Sequence, residues 1–322
     1  MATIYEVAAL AGVSPATVSR VLNGTKVADA LTERVLLAAE QLQFTPNRTA
    51  RSLRRRHSEL IALVIPDIEN PFFTALARGV EDRAREAGYS VVLCNTDEDR
   101  GREAEYLRVA AAEHMAGVIL APAAETSELG PLGGRPVVAV DRTPHGAVLD
   151  SVTVDNRGAG RAAARALLDR GAARIACVTG PRSIDTAIER AEGWADEIES
   201  STGSRPDPEL LRHADYRFDG GRTETRALIE DARFDGLVVT NNLMGAGALR
   251  ALADAGMPVP AERVAVIGDL PHSALAPSGL AVLSLPAREL GECAAELLLA
   301  RIDGDVSAPR SLVLDGSPAL LR

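Results

Sequence analysis

The chain has 322 residues, 46% of them hydrophobic and 25% charged, an ordinary globular composition but more length than one core accommodates, since single cores stop growing near about 250 to 300 residues. No apolar run approaches the roughly 18 residues that cross a bilayer, and Met1–Glu6 carries neither a basic nor an apolar export region, so a cytoplasmic protein of at least two domains is expected. The net charge of −10 is unevenly spread: residues 1–58 hold eight basic side chains against four acids, a balance of +4, which leaves −14 for the rest and suits a small phosphate-meeting head on an acidic body.

In chain order, the first 42 residues read as three short helices, Ile4 to Ala11, Pro15 to Leu22 and Leu31 to Leu42, with turns at Gly12-Val13 and Asn23-Gly24. Ser14 before Pro15 is an N-cap followed by proline at the first helical position. In TIYEVAALAGVSPATVSRVLNG, Ala8, Gly12 and Val18 supply the small residue, the positive-φ turn and the branched apolar contact that two closely crossing helices need, which is the helix-turn-helix arrangement. Ile4, Val7, Val21 and Leu22 then fill the apolar face. Pro15, Ala16, Thr17, Ser19, Arg20 and Asn23 are left facing outward, toward a major groove. Arg20 suits guanine or a phosphate, while Thr17, Ser19 and Asn23 reach phosphates or base edges. The alternative is a helical hairpin with exposed polar residues.

From Leu60 onward, apolar runs alternate with Ala- and Arg-rich amphipathic segments: LIALVIP, SVVLCN, GVILAP, PVVAVD, RIACVTG, GLVVTN and RVAVIGD. Unalternating apolar strands spaced by helices indicate parallel strands buried on both faces. About 260 residues of this pattern exceed one doubly wound sheet, so the predicted body is α/β with two similar doubly wound lobes. Ligands in such folds sit beyond the carboxyl ends of strands, which directs attention to Asp67 to Phe73, Asp141-Arg142, Asn241-Asn242 and Asp269. Cys94, Cys177 and Cys293 lie apart in apolar stretches without metal-ligand spacing, and read as buried free thiols with no metal site. No cofactor is expected. Gly158-x-Gly160-x-x-Ala163 imitates a dinucleotide fingerprint, but the next strand starts only about ten residues later and ends in glycine instead of a ribose-binding acid; small residues packing a helix on a sheet explain it better.

The head motif, together with FTPNRTARSLR, DIENPFF, GVILAPA, PVVAVDR, DSVTVDN, GALRALADAGMPVP and PARELGECAAELLL, resembles the lactose-repressor (LacI/GalR) family of bacterial regulators over nearly the whole chain. The resemblance implies a helix-turn-helix head over residues 1–46, a hinge helix and linker over 47–58, and a periplasmic-binding-protein-like body over 59–322. It implies a homodimeric transcriptional repressor, not an enzyme and without catalytic residues, that binds a near-palindromic double-stranded DNA operator and answers to a small-molecule effector, a carbohydrate. DNA contacts would extend to Thr3, Tyr5 and the hinge residues Asn47, Ala50, Arg51, Leu53 and Arg54, with Leu53 wedged between base pairs and the hinge ordered only on DNA. The absence of a leucine-heptad tail at Arg322 favours a dimer. Effector contacts would come from Phe72, Asp141, Arg142, Arg190, Tyr216, Asn241 and Asp269, with Phe73 expected in the core. Two departures from the family pattern stand out. Asn242 occupies a position that usually carries an aspartate, and VIGDLPHSA is two residues shorter than usual, which puts the role of Asp269 in doubt.

Overall fold

A computed structural model describes residues 2–22, 27–44, 58–231, 233–257, 259–270 and 277–320. The chain divides into two compact units, Met1–Ser58 and Glu59–Arg322. In the first, α1 (Ile4–Ala11), α2 (Pro15–Leu22) and α3 (Asp29–Gln41) close on a core of Val7, Ala8, Ala11, Val18, Val21, Val35 and Ala38, with Ile4 and Leu22 at its margin. α3 begins two residues before its expected start. Asp29 in its first turn favours that start through the positive N-terminal end of the helix dipole.

The second unit contains two six-stranded sheets with the same winding. The N-lobe runs β11-β5-β4-β3-β1-β2 and the C-lobe β12-β10-β9-β8-β6-β7. The N-lobe strands are β1 (Leu60–Ile65), β2 (Ser90–Asn95), β3 (Gly117–Leu120), β4 (Val137–Val140), β5 (Asp150–Val154) and β11 (Ser311–Leu314). The C-lobe strands are β6 (Ile175–Thr179), β7 (Leu211–His213), β8 (Gly236–Val239), β9 (Val264–Ile267), β10 (Ala281–Ser284) and β12 (Ser317–Leu320). All pairings are parallel except that of β10 with β12. β1, β3, β6, β8 and β9 are apolar and almost wholly buried, as helices on both faces require.

The helices are α4 (Pro71–Glu86), α5 (Arg100–Ala112), α6 (Asn156–Leu168), α7 (Asp185–Thr202), α8 (Phe218–Asp231), α9 (Asn242–Asp254) and α10 (Ala287–Ile302). α10 packs on the N-lobe although β10 before it belongs to the C-lobe. The chain therefore passes between lobes three times: after β5, after β10, and between β11 and β12. Those three strands are the only ties of main chain across the cleft among the described residues, so the lobes can shift as bodies.

The small residues of the fingerprint-like segment serve close packing. A Cβ there would lie 2.1 Å from the Arg190 carbonyl oxygen, and one on Gly193 would lie 2.0 Å from that of Arg157. Gly160 and Gly193 let α6 pack closely on α7, and α6 also packs on the C-lobe sheet at β9 and β10 with Ala163 fully buried, as expected. The thiols need correction: Cys94 and Cys177 are buried, but Cys293 is only partly so, because it lies on the flank of α10 whose inner face is filled by Leu290, Ala294 and Leu298. Among the described residues no helix is long and apolar enough to cross a membrane.

Candidate functional site

The head presents a short helix with a polar, capped start. Ser14 Oγ accepts from Thr17 N at 3.1 Å and lies 2.9 Å from Thr17 Oγ1, so α2 begins with a polar cap and its positive dipole end outward. Ser14, Ala16 and Arg20 are exposed, while Pro15, Thr17 and Ser19 are half-buried. Val18 and Val21 on the opposite side are sealed in the core. This separation of faces is what a groove-reading helix requires. Thr3 caps α1 through a capping box: its Oγ1 accepts from Glu6 N, and Glu6 Oε2 accepts from Thr3 N at 2.7 Å. Tyr5 is 72% exposed.

Arg34, though exposed, is engaged by the head's own backbone. Its Nη2 donates to the carbonyl oxygens of Ala11 and Gly12, at 2.5 and 3.3 Å, holding the turn in which Gly12 has φ +61°. The charge balance of residues 1–58 included this side chain, and the fold shows its hydrogen bonds to the backbone. Asn23 and the hinge residues Asn47, Ala50, Arg51, Leu53 and Arg54 lie outside the described residues.

In the body, the ends of strands from both lobes converge on one pocket, lined by Phe72, Asp141, Arg142, Arg190, Tyr216 and Asn241 among others. Each side chain has a local reason to be there. Asn70 caps α4 by accepting from Phe72 N at 3.0 Å, with Pro71 next, so the helix starts at the sheet's edge. The Phe72 ring meets the buried ring of Phe73 edge-on at 5.1 Å, and Phe73 is the core member of the pair, as expected. Asp141 takes the left-handed conformation, φ 65°, directly after β4. Tyr216 does the same, φ 63°, in a turn closed by Asp215 Oδ1 accepting from Arg217 N at 3.0 Å. Its hydroxyl shares a hydrogen bond with Thr186 at 3.0 Å. Asn241 caps α9 by accepting from Met244 N at 3.0 Å. Its oxygen is thereby committed, and its amide N–H groups are what it can offer a ligand.

The charges in the wall are arranged in pairs. Arg142 is clamped by Glu98 at 2.8 and 2.9 Å; burial opposes its charge, but Glu98 and Asp141 outweigh this and keep it protonated. The Arg142 guanidinium also lies 5.7 Å from the centre of the Tyr216 ring. Burial pushes the Asp141 carboxyl above the usual range, although Arg142 and Arg190 draw it back. Among the described residues no donor makes a hydrogen bond to that carboxylate; Arg142 Nε is its near neighbour at 3.5 Å. Arg190 is 5% exposed and so is not a surface helix arginine. Its Nε donates to Asn156 Oδ1 and its Nη1 to Thr240 O, both at 2.8 Å, and Nη2 has no partner among the described residues. A buried acceptor without donors and a buried donor without an acceptor suit a hydroxyl-rich ligand, which is both.

Asp269 stands apart from this set. It is exposed, is not among the lining residues, and its Oδ1 accepts from Ser284 Oγ. Its main-chain oxygen accepts from Asn242 Nδ2 at 3.1 Å, while its carboxylate is engaged by Ser284. Asn242 Nδ2 also donates to Asn70 Oδ1 at 3.0 Å, making the uncharged residue a buried bridge between lobes. Sequence reasoning missed Glu98 and Arg217, which also line the pocket, because lone charges in loops carry no periodic signal.

Residues 58–315 match the model of periplasmic binding proteins and the sugar-binding domain of the LacI family, and residues 3–47 match the lacI family of bacterial regulatory proteins. A ribose operon repressor of Bacillus subtilis (strain 168) is 37% identical over 303 residues, spanning 93% of this chain and 91% of the relative. Among solved structures, a complex of the transcriptional regulator CelR with cellobiose is 31% identical with a TM-score of 0.71, covering 99% of each chain. A LacI family regulator from Enterococcus faecium with bound ribose is 26% identical with a TM-score of 0.71, covering 81% of this chain and 96% of that one. With a helix-turn-helix head and two like-wound lobes enclosing a polar pocket, the chain belongs to the LacI family of bacterial transcriptional regulators.

Proposed function

We propose that this regulator is a cytoplasmic repressor that acts as a homodimer, with two heads on the half-sites of a near-palindromic operator and a small neutral sugar, of the pentose class, as effector in the inter-lobe pocket. The observation that carries the sugar reading is the facing of Asp141 from the N-lobe and Arg190 from the C-lobe across one pocket, both buried and each with unspent hydrogen-bonding capacity. Phe72 and Tyr216 give apolar faces on which the carbons of a sugar ring pack. A neutral ligand is favoured over a phosphorylated one because Arg142 is already held by Glu98 and Arg190 faces Asp141, which leaves no surplus positive charge for an anion. The ribose relationship of the relatives points the same way.

Residues 47–58 complete the reading as a hinge helix and linker, resting on the family resemblance: Leu53 is the minor-groove wedge, and Asn47, Ala50, Arg51 and Arg54 lie along it. A thermal-shift panel on the full chain tests the effector class. D-ribose, other pentoses, hexoses, cellobiose, nucleosides and ribose 5-phosphate are compared, and a neutral monosaccharide is expected to raise Tm in a concentration-dependent way. Stabilisation by the phosphate alone, or by none of the sugars, overturns the assignment.

A further inference from the structure

The turn that delivers Tyr216 to the pocket also sends the next side chain across the cleft. Arg217 belongs to the C-lobe, yet its Nη1 lies 3.0 Å from Asp67 Oδ2 and 3.7 Å from Glu69 Oε2, and its Nη2 donates to Asp97 Oδ1 at 3.2 Å. Those three acids follow β1 and β2 of the N-lobe. The pair is not a surface decoration: the side chain of Asp67 is 8% exposed and that of Arg217 33%. Besides Arg217, Asp67 is held by the Glu69 amide at 2.9 Å, so loss of the guanidinium leaves a largely buried carboxylate without its counter-charge, the situation in which an ion pair matters.

The backbone makes the two tasks of this turn inseparable. Tyr216 sits at positive φ, a conformation unfavourable to a bulky side chain, and is kept there by the Asp215 carboxylate on Arg217 N on one side and by the Thr186 hydroxyl on the ring's own oxygen on the other.

We propose that Arg217 is a positioning residue for effector recognition: by bridging to Asp67 and Asp97 it holds the two lobes together and fixes the Tyr216 ring against the pocket. The role builds on the sugar-pocket reading above but makes demands of its own. Although Arg217 reaches the pocket wall, the role assigned to it is the placement of Tyr216 and the closure of the lobes. The bridge should be reciprocal, so that removing the acid on the far lobe loosens the Tyr216 turn as much as removing the arginine does.

Hydrogen exchange read by mass spectrometry on the full chain without sugar tests this independently of what the effector is. Arg217→Ala and, separately, Asp67→Asn are each expected to speed exchange about tenfold both in residues 67–73 and in residues 214–221. Arg217→Lys should fall between wild type and Arg217→Ala, and the double variant should resemble either single one. A change confined to 214–221 in Arg217→Ala, or wild-type protection of 214–221 in Asp67→Asn, overturns the proposal. Asp67→Asn conserves volume and lies on the other lobe, so it guards against a mere folding defect at the turn. If D-ribose binds the wild type, Arg217→Ala should also raise its off-rate about tenfold, whereas failure of every sugar to bind counts against the effector reading and leaves the exchange result standing on its own.

Discussion

Arg190 Nε donates to Asn156 Oδ1 at 2.8 Å, and Asn156 is the first residue of α6, directly after the chain has crossed from the N-lobe. The guanidinium that faces the pocket is thus fastened to a segment joining the lobes. Its other partner, the Thr240 carbonyl at 2.8 Å, is at the end of β8. A ligand on Arg190 would therefore pull on the joint as well as on the C-lobe, a direct physical route from occupancy to lobe arrangement.

Arg190→Ala should consequently remove both the anchor and its coupling. Charge-assisted hydrogen bonds contribute roughly 1.5 to 3 kcal/mol each, so sugar affinity should fall at least about tenfold by calorimetry. Asn156→Ala should weaken binding less, since Thr240 still holds Nη1, but should blunt the effect of sugar on operator affinity more than its loss of affinity accounts for. Unchanged allosteric response in Asn156→Ala would disconnect the joint from the pocket.

Gly180 offers a sharper steric test. A Cβ at this position would lie 2.2 Å from Tyr216 Cζ, so Gly180→Ala must move the ring and break its hydrogen bond to Thr186. Overpacking of this kind costs about 1 to 3 kcal/mol. The expected outcome is a modestly lowered Tm with a disproportionate loss of sugar binding, and wild-type affinity in this variant would take Tyr216 out of the pocket wall.

A further inter-lobe pair gives a pH dependence. His145 Nε2 lies 2.7 Å from Asp185 Oδ2, one in the loop after β4 and the other in the first turn of α7. The hydrogen bond and charge of Asp185 raise the His145 pKa, with Glu125 adding in the same direction. The bridge is then fully present below the ordinary histidine range near about 6.5 and is lost as pH rises through the raised value. Both groups are about half exposed, so the effect is small. Sugar affinity should weaken slightly on going from mildly acidic to alkaline pH, and Asp185→Asn should flatten that profile. A profile of the opposite slope in this window, absent in Asp185→Asn, would contradict the assignment.

For the head, Arg20→Ala should reduce specific operator binding by roughly 1 to 3 kcal/mol if Arg20 makes a bidentate base contact. Leu53→Ala should lower specific affinity and DNA bending together while sparing salt-sensitive, non-specific binding. Gel-shift titration with a bend-angle measurement separates the two; equal bend and affinity in Leu53→Ala would eliminate the wedge.

Much of this architecture is legible in the sequence because burial on both faces writes itself as unbroken apolar runs. LIALVI and GVIL are examples, and every one of the seven expected strands is present. Two of the strands that escaped notice have weak signatures. β7 is three half-buried residues, Leu211–His213, and β11 exposes most of SLVL, so neither shows the continuous burial that marks a central strand. Pocket residues at strand ends, Asp141 and Asn241, could be found from topology alone. Arg217 could not, since its partners Asp67 and Asp97 are remote in sequence and only the closed cleft brings them together. Asp269, whose role the family pattern already put in doubt, is not in the pocket lining, because a position after a strand end does not fix where the side chain points, and Ser284 captures it.

The central claim is that a sugar held between the lobes governs the grip of the head on DNA. The measurement that tests it most directly is operator affinity, by fluorescence anisotropy, of full-length wild type and Arg190→Ala with and without D-ribose and a panel of other neutral sugars, on DNA selected by the protein from random sequence. At least one sugar should shift the wild-type operator Kd at least about tenfold, the scale of roughly 1.4 kcal/mol of coupling, and the same concentration should leave Arg190→Ala, itself still bound to operator, unmoved. An equal shift in Arg190→Ala, or no shift in the wild type with any sugar, would contradict the account.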